Sequence, residues 1–208
     1  MLHTETVAGT TLELLKRLEQ EEVLSAFNLA GGTALALYMG HRRSVDLDLF
    51  TPEAFDVNVL RERLEETYGL RTDYAFKHTL KGTIDGVKID CIMHAYPLLE
   101  PPYVEEGIRL YGLKDIIAMK LSAITDNGSR LKDFIDIACL STRYSFYEML
   151  QCYRHKFPQA NVLRPFKALT YFEDTVVMLE GKYDWERIRQ RLVDMTRNQE
   201  CIFEYYPL

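Results

Sequence analysis

The sequence has no hydrophobic run long enough to cross a bilayer, and its first residues lack the features of a secretory signal peptide. Its four cysteines are far apart and form no Cys-x-x-Cys pair, which favours reduced thiols and a cytoplasmic location. The five histidines are scattered, which argues against a zinc site. The 208 residues contain no internal repeat and no low-complexity tract. They therefore predict a compact globular protein with no membrane partner.

The chain also lacks an excess of basic charge. Its net charge of −6 argues against a protein that coats nucleic acid non-specifically, but it does not exclude local recognition of an RNA end. Basic residues do gather around the motifs described below: His41, Arg42, Arg43, Lys114, Lys120, Arg130 and Lys132. They can serve either to balance charge around an acidic pocket or to contact a polynucleotide.

Two adjacent glycines mark the first informative position. Gly31 and Gly32 follow the apolar segment 27–30 and precede a helix-prone stretch. This order predicts a turn that presents backbone N–H groups and the positive end of a helix to an anion. A Gly-Gly pair can also be no more than a tight turn.

Two aspartates follow at a spacing typical of metal ligands. In a strand over 45–50, Asp46 and Asp48 would leave one face while Val45 and the other apolar residues leave the opposite face. Like charges about 7 Å apart along a strand repel one another, and oxygen-only pairs suit Mg²⁺. A solvated strand edge is the alternative. The thirteen residues between Gly32 and Asp46 leave room for one short helix, so the two motifs together predict nucleotide chemistry.

A third acid lies on a predicted hairpin. Residues 82–92 read as two alternating strands joined by an Asp85-Gly86 turn. Lys88 and Asp90 would share one face of the second strand. Asp90 is therefore a candidate third metal ligand, or a carboxylate at a solvated sheet edge.

These motifs carry a resemblance. Gly-Gly-x13-Asp-x-Asp followed by Lys-Ile-Asp resembles the nucleotidyltransferase superfamily typified by DNA polymerase β, in its minimal form. The longer pattern over 31–37 and 41–50, with Lys120 and residues 130–137, is similar to the AbiEii/AbiGii toxin family. That family comprises nucleotidyltransferase toxins of bacterial abortive-infection and toxin–antitoxin systems. The superfamily usually has Gly-Ser where this chain has Gly32-Thr33, and threonine keeps the hydroxyl.

The resemblance implies a Mg²⁺-dependent transfer of a nucleotidyl group from an NTP to an acceptor hydroxyl, with release of pyrophosphate. It assigns metal binding, with two Mg²⁺ ions, to Asp46, Asp48 and Asp90; catalysis to Asp90, Lys120 and Asp136; and nucleotide contacts to Gly31, Gly32, Thr33, Arg42, Ser44 and Lys120. The acceptor would be RNA, such as a tRNA 3′ end, or a protein, and a cognate antitoxin would be a partner. The alternatives are a non-catalytic nucleotide-binding or regulatory module on the same fold, or a small-molecule nucleotidyltransferase of the aminoglycoside type.

Two residues of the second half need their own argument. Lys120 lies in the middle of the apolar stripe of a predicted helix over 112–126, so its amine either extends to solvent or faces an anion. The resemblance favours the triphosphate. Asp136 either pairs with Lys132 on the helix surface or is an active-site acid, and motif position favours it over Asp133.

The predicted fold is α/β (α+β). A minimal nucleotidyltransferase lobe with a small mixed sheet, residues 1–100, precedes a helical C-terminal half, residues 101–208, which contributes Lys120 and Asp136 to the site. Strands are predicted near 27–30, 45–50, 72–78, 80–84 and 87–93. Helices are predicted near 10–24, 32–39, 57–67, 112–126, 129–141, 145–156, 161–179 and 184–196.

Overall fold

The computed structural model describes residues 1–126, 131–170 and 184–204. Its residue contacts divide the chain into two compact units, residues 1–112 and 113–208. The first unit is built on a sheet and the second is helical, as the sequence predicts. The division falls between residues 112 and 113 rather than between 100 and 101, because two further strands follow residue 100.

The first unit contains one mixed sheet of seven strands in the order β3-β4-β5-β2-β1-β7-β6. The strands are β1 Asn28–Leu29, β2 Leu47–Thr51, β3 Arg71–Phe76, β4 Thr79–Ile84, β5 Val87–Met93, β6 Tyr103–Glu105 and β7 Ile108–Leu110. β2 runs parallel to β5, and β1 runs parallel to β7. The other neighbouring pairs are antiparallel. The predicted mixed sheet is confirmed, and β6 and β7 are additions to it.

Tight turns with positive φ angles connect the hairpins. Asp85 and Gly86 have φ angles of 49° and 81° and join β4 to β5, at the turn that the sequence predicts. Glu106 and Gly107 have φ angles of 52° and 78° and join β6 to β7 in the same way. The second turn was not predicted, although its Glu-Gly pair has the same conformation.

Strands β2 and β4 alternate strictly in burial. In β2 the buried residues are Leu47, Leu49 and Thr51, and in β4 they are Leu80, Gly82 and Ile84. The residues between them are only partly buried. One face of this part of the sheet therefore belongs to the core, and the opposite face remains accessible.

Three α-helices complete the first unit: α1 Gly9–Leu18, α2 Gly31–Met39 and α3 Val57–Tyr68. The predicted helix over 10–24 is wrong beyond Leu18, where turns and a short 3-10 helix follow. The cause is a long-range contact. The Arg109 guanidinium donates to the carbonyls of Glu19, Leu24 and Phe27, and it pairs with the Glu19 carboxylate at 2.7 Å. These bonds stabilise a turn in place of a continuing helix.

The second unit contains α4 Leu113–Asp126, α5 Leu131–Leu140, α6 Phe146–Lys156, α7 Leu163–Thr170 and α8 Trp185–Arg197. These helices lie close to their predicted positions. A capping box between Ser145 and Glu148 begins α6. The predicted Asn127-Gly128 turn, the Ser129 cap, Arg130 and the end of the helix predicted over 161–179 lie outside the described residues. In the described ranges, none of the helices has the length and apolar character needed to cross a membrane.

Candidate functional site

The start of α2 is built around Gly31 and Asp48. Gly31 has a φ angle of +65°, a conformation that favours glycine. A Cβ atom added to Gly31 would overlap the Asp48 carboxylate. The Ala30 N–H donates to the Asp48 carbonyl at 2.7 Å, which holds the end of β1 against β2. Because position 31 is a glycine, there is space for the Asp48 carboxylate next to the first turn of α2.

Arg42 lies on the neighbouring glycine. Its side chain is buried, and a Cβ atom added to Gly32 would overlap the guanidinium Nη2. Its Nη1 also donates to the Arg43 carbonyl at 3.2 Å. The N-cap residue of α2 is Ala30, whose methyl group cannot accept a hydrogen bond from the first turn. The structure thus brings together Gly31, Gly32 and Arg42, three of the predicted nucleotide contacts, at the positive end of a helix.

The Thr33 hydroxyl ties the following loop to α2. It donates to the Asp46 carbonyl and lies 2.8 Å from the Ser44 hydroxyl. The Ser44 N–H donates to the Thr6 carbonyl at 3.0 Å, which anchors the loop from its other side. Thr33 therefore positions the loop through its side chain. The phosphate contact that the resemblance implies for Thr33 stays a prediction.

Asp48 and Asp90 occupy directly paired positions on β2 and β5. Paired residues of adjacent strands leave the sheet on the same face, so both carboxylates face the same side. Asp90 is in turn paired with Lys81 of β4, whose Nζ donates to Asp90 Oδ2 at 2.7 Å. A lysine and two acids thus form one row across three strands. Lys81 was not predicted, although counting back from the two-residue Asp85-Gly86 turn places it opposite Asp90.

Asp46 differs from its predicted position. β2 begins at Leu47, so Asp46 lies just before the strand and is exposed. Val45, expected on the core face, is 55% exposed, and this expectation is wrong. The reason is that Ser44 forms a bridge with Val7 and Thr33 holds Asp46, which keeps this segment out of the ladder until Leu47.

Carboxylates at paired strand positions are oxygen donors of the kind that Mg²⁺ prefers. Asp48 and Asp90 fit such an ion in chemistry and in the face they share. Within the described ranges, no group of three or more His, Cys, Asp or Glu side chains is gathered closely enough to hold a metal. The predicted site of three carboxylates, with Asp46 as the third, therefore stays a prediction.

In the second unit, Lys120 is buried between two acids. Its Nζ lies 2.6 Å from Asp133 Oδ1 and 2.7 Å from Asp136 Oδ2. Burial alone would lower the pKa of Lys120, but the charges of Asp136 and Asp133 outweigh it, so the pKa is raised above its usual value. Lys120 is therefore a cation fixed by two carboxylates, and extension of its amine to solvent is excluded.

The two acids of α5, Asp133 and Asp136, are buried and do not lie on the helix surface. Asp136 is fully buried, so the alternative of a surface pair with Lys132 is wrong. Asp133, which motif position placed second, contacts Lys120 as closely as Asp136 does. Among the described residues, its Oδ2 atom has no hydrogen-bond partner although it is buried. The spacing of three residues, which puts both acids on one side of a helix, was the signal that could have identified Asp133.

Comparisons with known proteins show what the whole chain is similar to. The family model described as "Nucleotidyl transferase AbiEii toxin, Type IV TA system" matches residues 13–202. A protein of Aquifex aeolicus (strain VF5), the uncharacterised aq_aa25, is 36% identical over an alignment of 168 positions, which covers 78% of this chain and 81% of that protein.

Two crystal structures from Helicobacter pylori share the fold. One, of a candidate nucleotidyltransferase, has a TM-score of 0.59 at 19% identity and covers 93% of this chain and 96% of its own. The other, JHP933, has a TM-score of 0.59 at 18% identity and covers 93% of both chains. The family match confirms the resemblance seen in the sequence. The chain belongs to the AbiEii family of nucleotidyltransferase toxins of type IV toxin–antitoxin systems.

Proposed function

We propose that this nucleotidyltransferase moves a nucleoside monophosphate from an NTP to an acceptor hydroxyl at the site formed by Gly31, Gly32, Arg42, Asp48 and Asp90. The observation that carries the proposal is the placement of Asp48. Its carboxylate lies beside Gly31 at the start of α2, and it shares a face of the sheet with Asp90. An anion cradle and a carboxylate pair therefore adjoin one another.

The triphosphate would lie at the start of α2. Backbone N–H groups at a helix N-terminus and a guanidinium both stabilise phosphate oxygens. Arg42 supplies the guanidinium and lies directly over Gly32. Thr33 and Ser44 hold the loop in place, and the Ser44 hydroxyl is a further phosphate contact in this proposal. The absence of a side chain on Gly32 makes room for Arg42 beside the phosphates.

Asp46, Asp48 and Asp90 would hold Mg²⁺, which supplies charge neutralisation of the triphosphate when bound. The chain's own residues do the rest. The oxygen of the acceptor hydroxyl forms a bond to the α-phosphorus, and the bond from that phosphorus to the bridging oxygen of the β-phosphate breaks. Pyrophosphate leaves with the electron pair, and the hydroxyl proton passes to the Asp90 carboxylate. Lys81 holds that carboxylate in position.

Lys120 and Asp136 take the roles that the family pattern gives them. Lys120 would neutralise phosphate charge, and Asp136 would orient its amine. The ion pairs with Asp133 and Asp136 keep the amine protonated and fixed, but they also compensate its charge, so the contact with phosphate stays a prediction. Asp133 shares the orienting role in our proposal, since its distance to the amine is as short.

The acceptor we favour is an RNA 3′ end, such as that of a tRNA, with a protein side chain as the second candidate. The family description supports a toxin restrained by a cognate antitoxin. A non-catalytic module on the same fold would bind NTP without turnover. A small-molecule nucleotidyltransferase of the aminoglycoside type would label a low-molecular-weight acceptor instead of RNA.

Labelled nucleotides separate these functions. Purified protein is incubated with each α-labelled NTP, Mg²⁺ and total RNA, and parallel reactions contain protein or aminoglycoside acceptors. We expect label on RNA from the wild type, and none from Asp48→Asn or after metal chelation. Label that is equal in Asp48→Asn, or no transfer with any NTP and acceptor, would contradict the proposal.

A further inference from the structure

The sheet has an accessible side next to the two acids. We call it the open face: the side of β3, β4, β5 and β2 that carries Tyr74, Lys81, Asp90 and Asp48. Every residue of β4 and β2 that points to this side is partly exposed, whereas every residue that points to the other side is buried. The fold of the first unit therefore leaves this surface available for a ligand.

Two large aromatic side chains stand on the open face. Tyr74 is 48% exposed and is paired with Lys81, while Phe76 is 58% exposed and is paired with Thr79. A single exposed aromatic residue needs no explanation. Here two of them occupy one face of one edge strand, and a register shift between Thr72 and Tyr74 sets their direction. The arrangement offers flat rings to a ligand that can stack on them.

Basic side chains surround these rings. Lys88 and Arg71 are exposed and both are paired with Thr83, which places them on the open face. The Lys77 amine lies 5.5 Å from the centre of the Phe76 ring. Lys81 bonds Asp90 and keeps 43% of its side chain exposed. The open face therefore combines stacking surface with positive charge.

This surface leads directly to the acids. Tyr74, Lys81, Asp90 and Asp48 form one row across four strands. Adjacent strands are about 4.8 Å apart, so about 14 Å separates the backbone at Tyr74 from that at Asp48. That span exceeds the reach of a small acceptor. An extended chain of a few nucleotides would cover it.

We propose that the open face binds the unpaired 3′ end of a polynucleotide acceptor. Its bases stack on Tyr74 and Phe76, its phosphates meet Arg71, Lys81 and Lys88, and its terminal hydroxyl comes to Asp90. The inference rests on the proposed function and specifies the surface that binds the acceptor favoured there. Aromatic rings interleaved with basic side chains on an exposed sheet are the features by which single strands are bound.

Oligonucleotide binding tests the surface without the chemistry. Fluorescence anisotropy is measured with short single-stranded RNA and DNA, in the absence of NTP, for wild type, Tyr74→Ala, Phe76→Ala and Tyr103→Ala. Tyr103 is the matched control, because it is 43% exposed on β6, at the opposite edge of the same sheet. Stacking of one base is worth about 1–3 kcal/mol, so Tyr74→Ala and Phe76→Ala should each weaken binding about tenfold. Tyr103→Ala should bind as the wild type does.

Salt dependence tests the charges. Lys88→Gln should lower the slope of log affinity against log salt concentration by about 0.7, the value for one phosphate contact on a single strand. Lys16→Gln is the control, since Lys16 lies on α1 and 43% of its side chain is exposed. An unchanged slope in Lys88→Gln, or an equal change in Lys16→Gln, would overturn the charge assignment.

The outcomes separate this inference from the proposed function. Weaker oligonucleotide binding in Tyr74→Ala and Phe76→Ala, with no transfer to any acceptor, supports the surface and refutes the function. Transfer to RNA that both variants perform at the wild-type rate refutes the surface and leaves the function standing. Absence of oligonucleotide binding by the wild type, or transfer only to protein, refutes the surface as well. Stronger binding of RNA than of DNA identifies the acceptor as RNA.

Discussion

The carboxylate of Asp48 occupies the space beside the Gly31 Cα atom in which any other residue would place its Cβ. Gly31 also has a φ angle of +65°, which any other residue adopts at a cost. Gly69 has nearly the same φ angle, +66°, but a Cβ atom there would meet no described atom within 4 Å. A substitution at Gly69 would therefore cause backbone strain alone, whereas one at Gly31 would cause the same strain and also displace the Asp48 carboxylate.

Gly31→Ala and Gly69→Ala form a matched pair. Each substitution should lower the free energy of unfolding by about 1 kcal/mol, because alanine is strained at positive φ. Gly31→Ala should also displace the Asp48 carboxylate and lower nucleotidyl transfer at least tenfold, while Gly69→Ala retains activity. Urea unfolding and labelled-nucleotide transfer measure the two effects. Equal activity in the two variants would contradict the placement of Asp48 in the site.

Asp48→Asn should lower transfer about 100-fold or more while the fold is retained. Replacing one of two carboxylates at paired positions removes repulsion, so the melting temperature should stay unchanged or rise slightly. Asp46→Asn should have the same effect on transfer if the exposed Asp46 belongs to the metal site. Full activity in Asp46→Asn together with an inactive Asp48→Asn would remove Asp46 from the ligand set.

Lys120→Met should destabilise the second unit by about 3–5 kcal/mol, because it leaves the buried carboxylates of Asp133 and Asp136 without their cation. The sequence alone, which places Lys120 in an apolar stripe, predicts instead that the protein tolerates Lys120→Met. The double variant Lys120→Met/Asp136→Asn should recover part of the loss. Urea unfolding of the two single variants and the double variant gives the coupling energy. A coupling energy near zero would mean that the ion pair contributes nothing to stability.

Glu19 should make stability depend on pH. Burial raises the pKa of Glu19 to about 7, although Arg109 opposes this shift. The native state then holds this proton more tightly than the unfolded state, so the free energy of unfolding falls as the pH rises from about 4.5 to 7. The whole shift corresponds to roughly 3 kcal/mol.

Glu19→Gln should abolish that part of the dependence. Urea unfolding at pH 5, 6, 7 and 8 for both proteins measures it. If wild type and Glu19→Gln lose stability in parallel between pH 5 and 7, the titrating group lies elsewhere.

Local patterns predicted the hairpin of β4 and β5, since its alternation and its Asp85-Gly86 turn lie within a dozen residues of one another. They missed β6 and β7, because three residues are too few to show a period. The burial of Leu110 comes from its pairing with Leu29, which is distant in sequence. The end of α1 was missed for a similar reason, since Arg109 holds the following turn from 90 residues away.

Site prediction had the same limits. The family motifs singled out the glycines, Asp48 and Asp90 from their order and spacing, and the structure brings Asp48 beside Gly31 and opposite Asp90, while their roles stay predictions. Periodicity placed Val45 inside and Asp136 on a flank, and both were wrong. The exposure of Val45 and the burial of Asp136 depend on contacts that local periodicity cannot predict. These contacts are the bridge of Ser44 with Val7 and the ion pair of Asp136 with Lys120.

The strict alternation of buried and partly exposed residues in β2 and β4 affects how the sequence of such an enzyme can change in evolution. Residues on the buried side carry the stability of the sheet, whereas substitutions at partly exposed positions usually alter stability by no more than about 0.5 kcal/mol. Mutation can therefore alter the accessible side, and with it, in our proposal, the choice of acceptor, while the fold persists. Relatives with this architecture are free to diverge in what they modify without first becoming unstable.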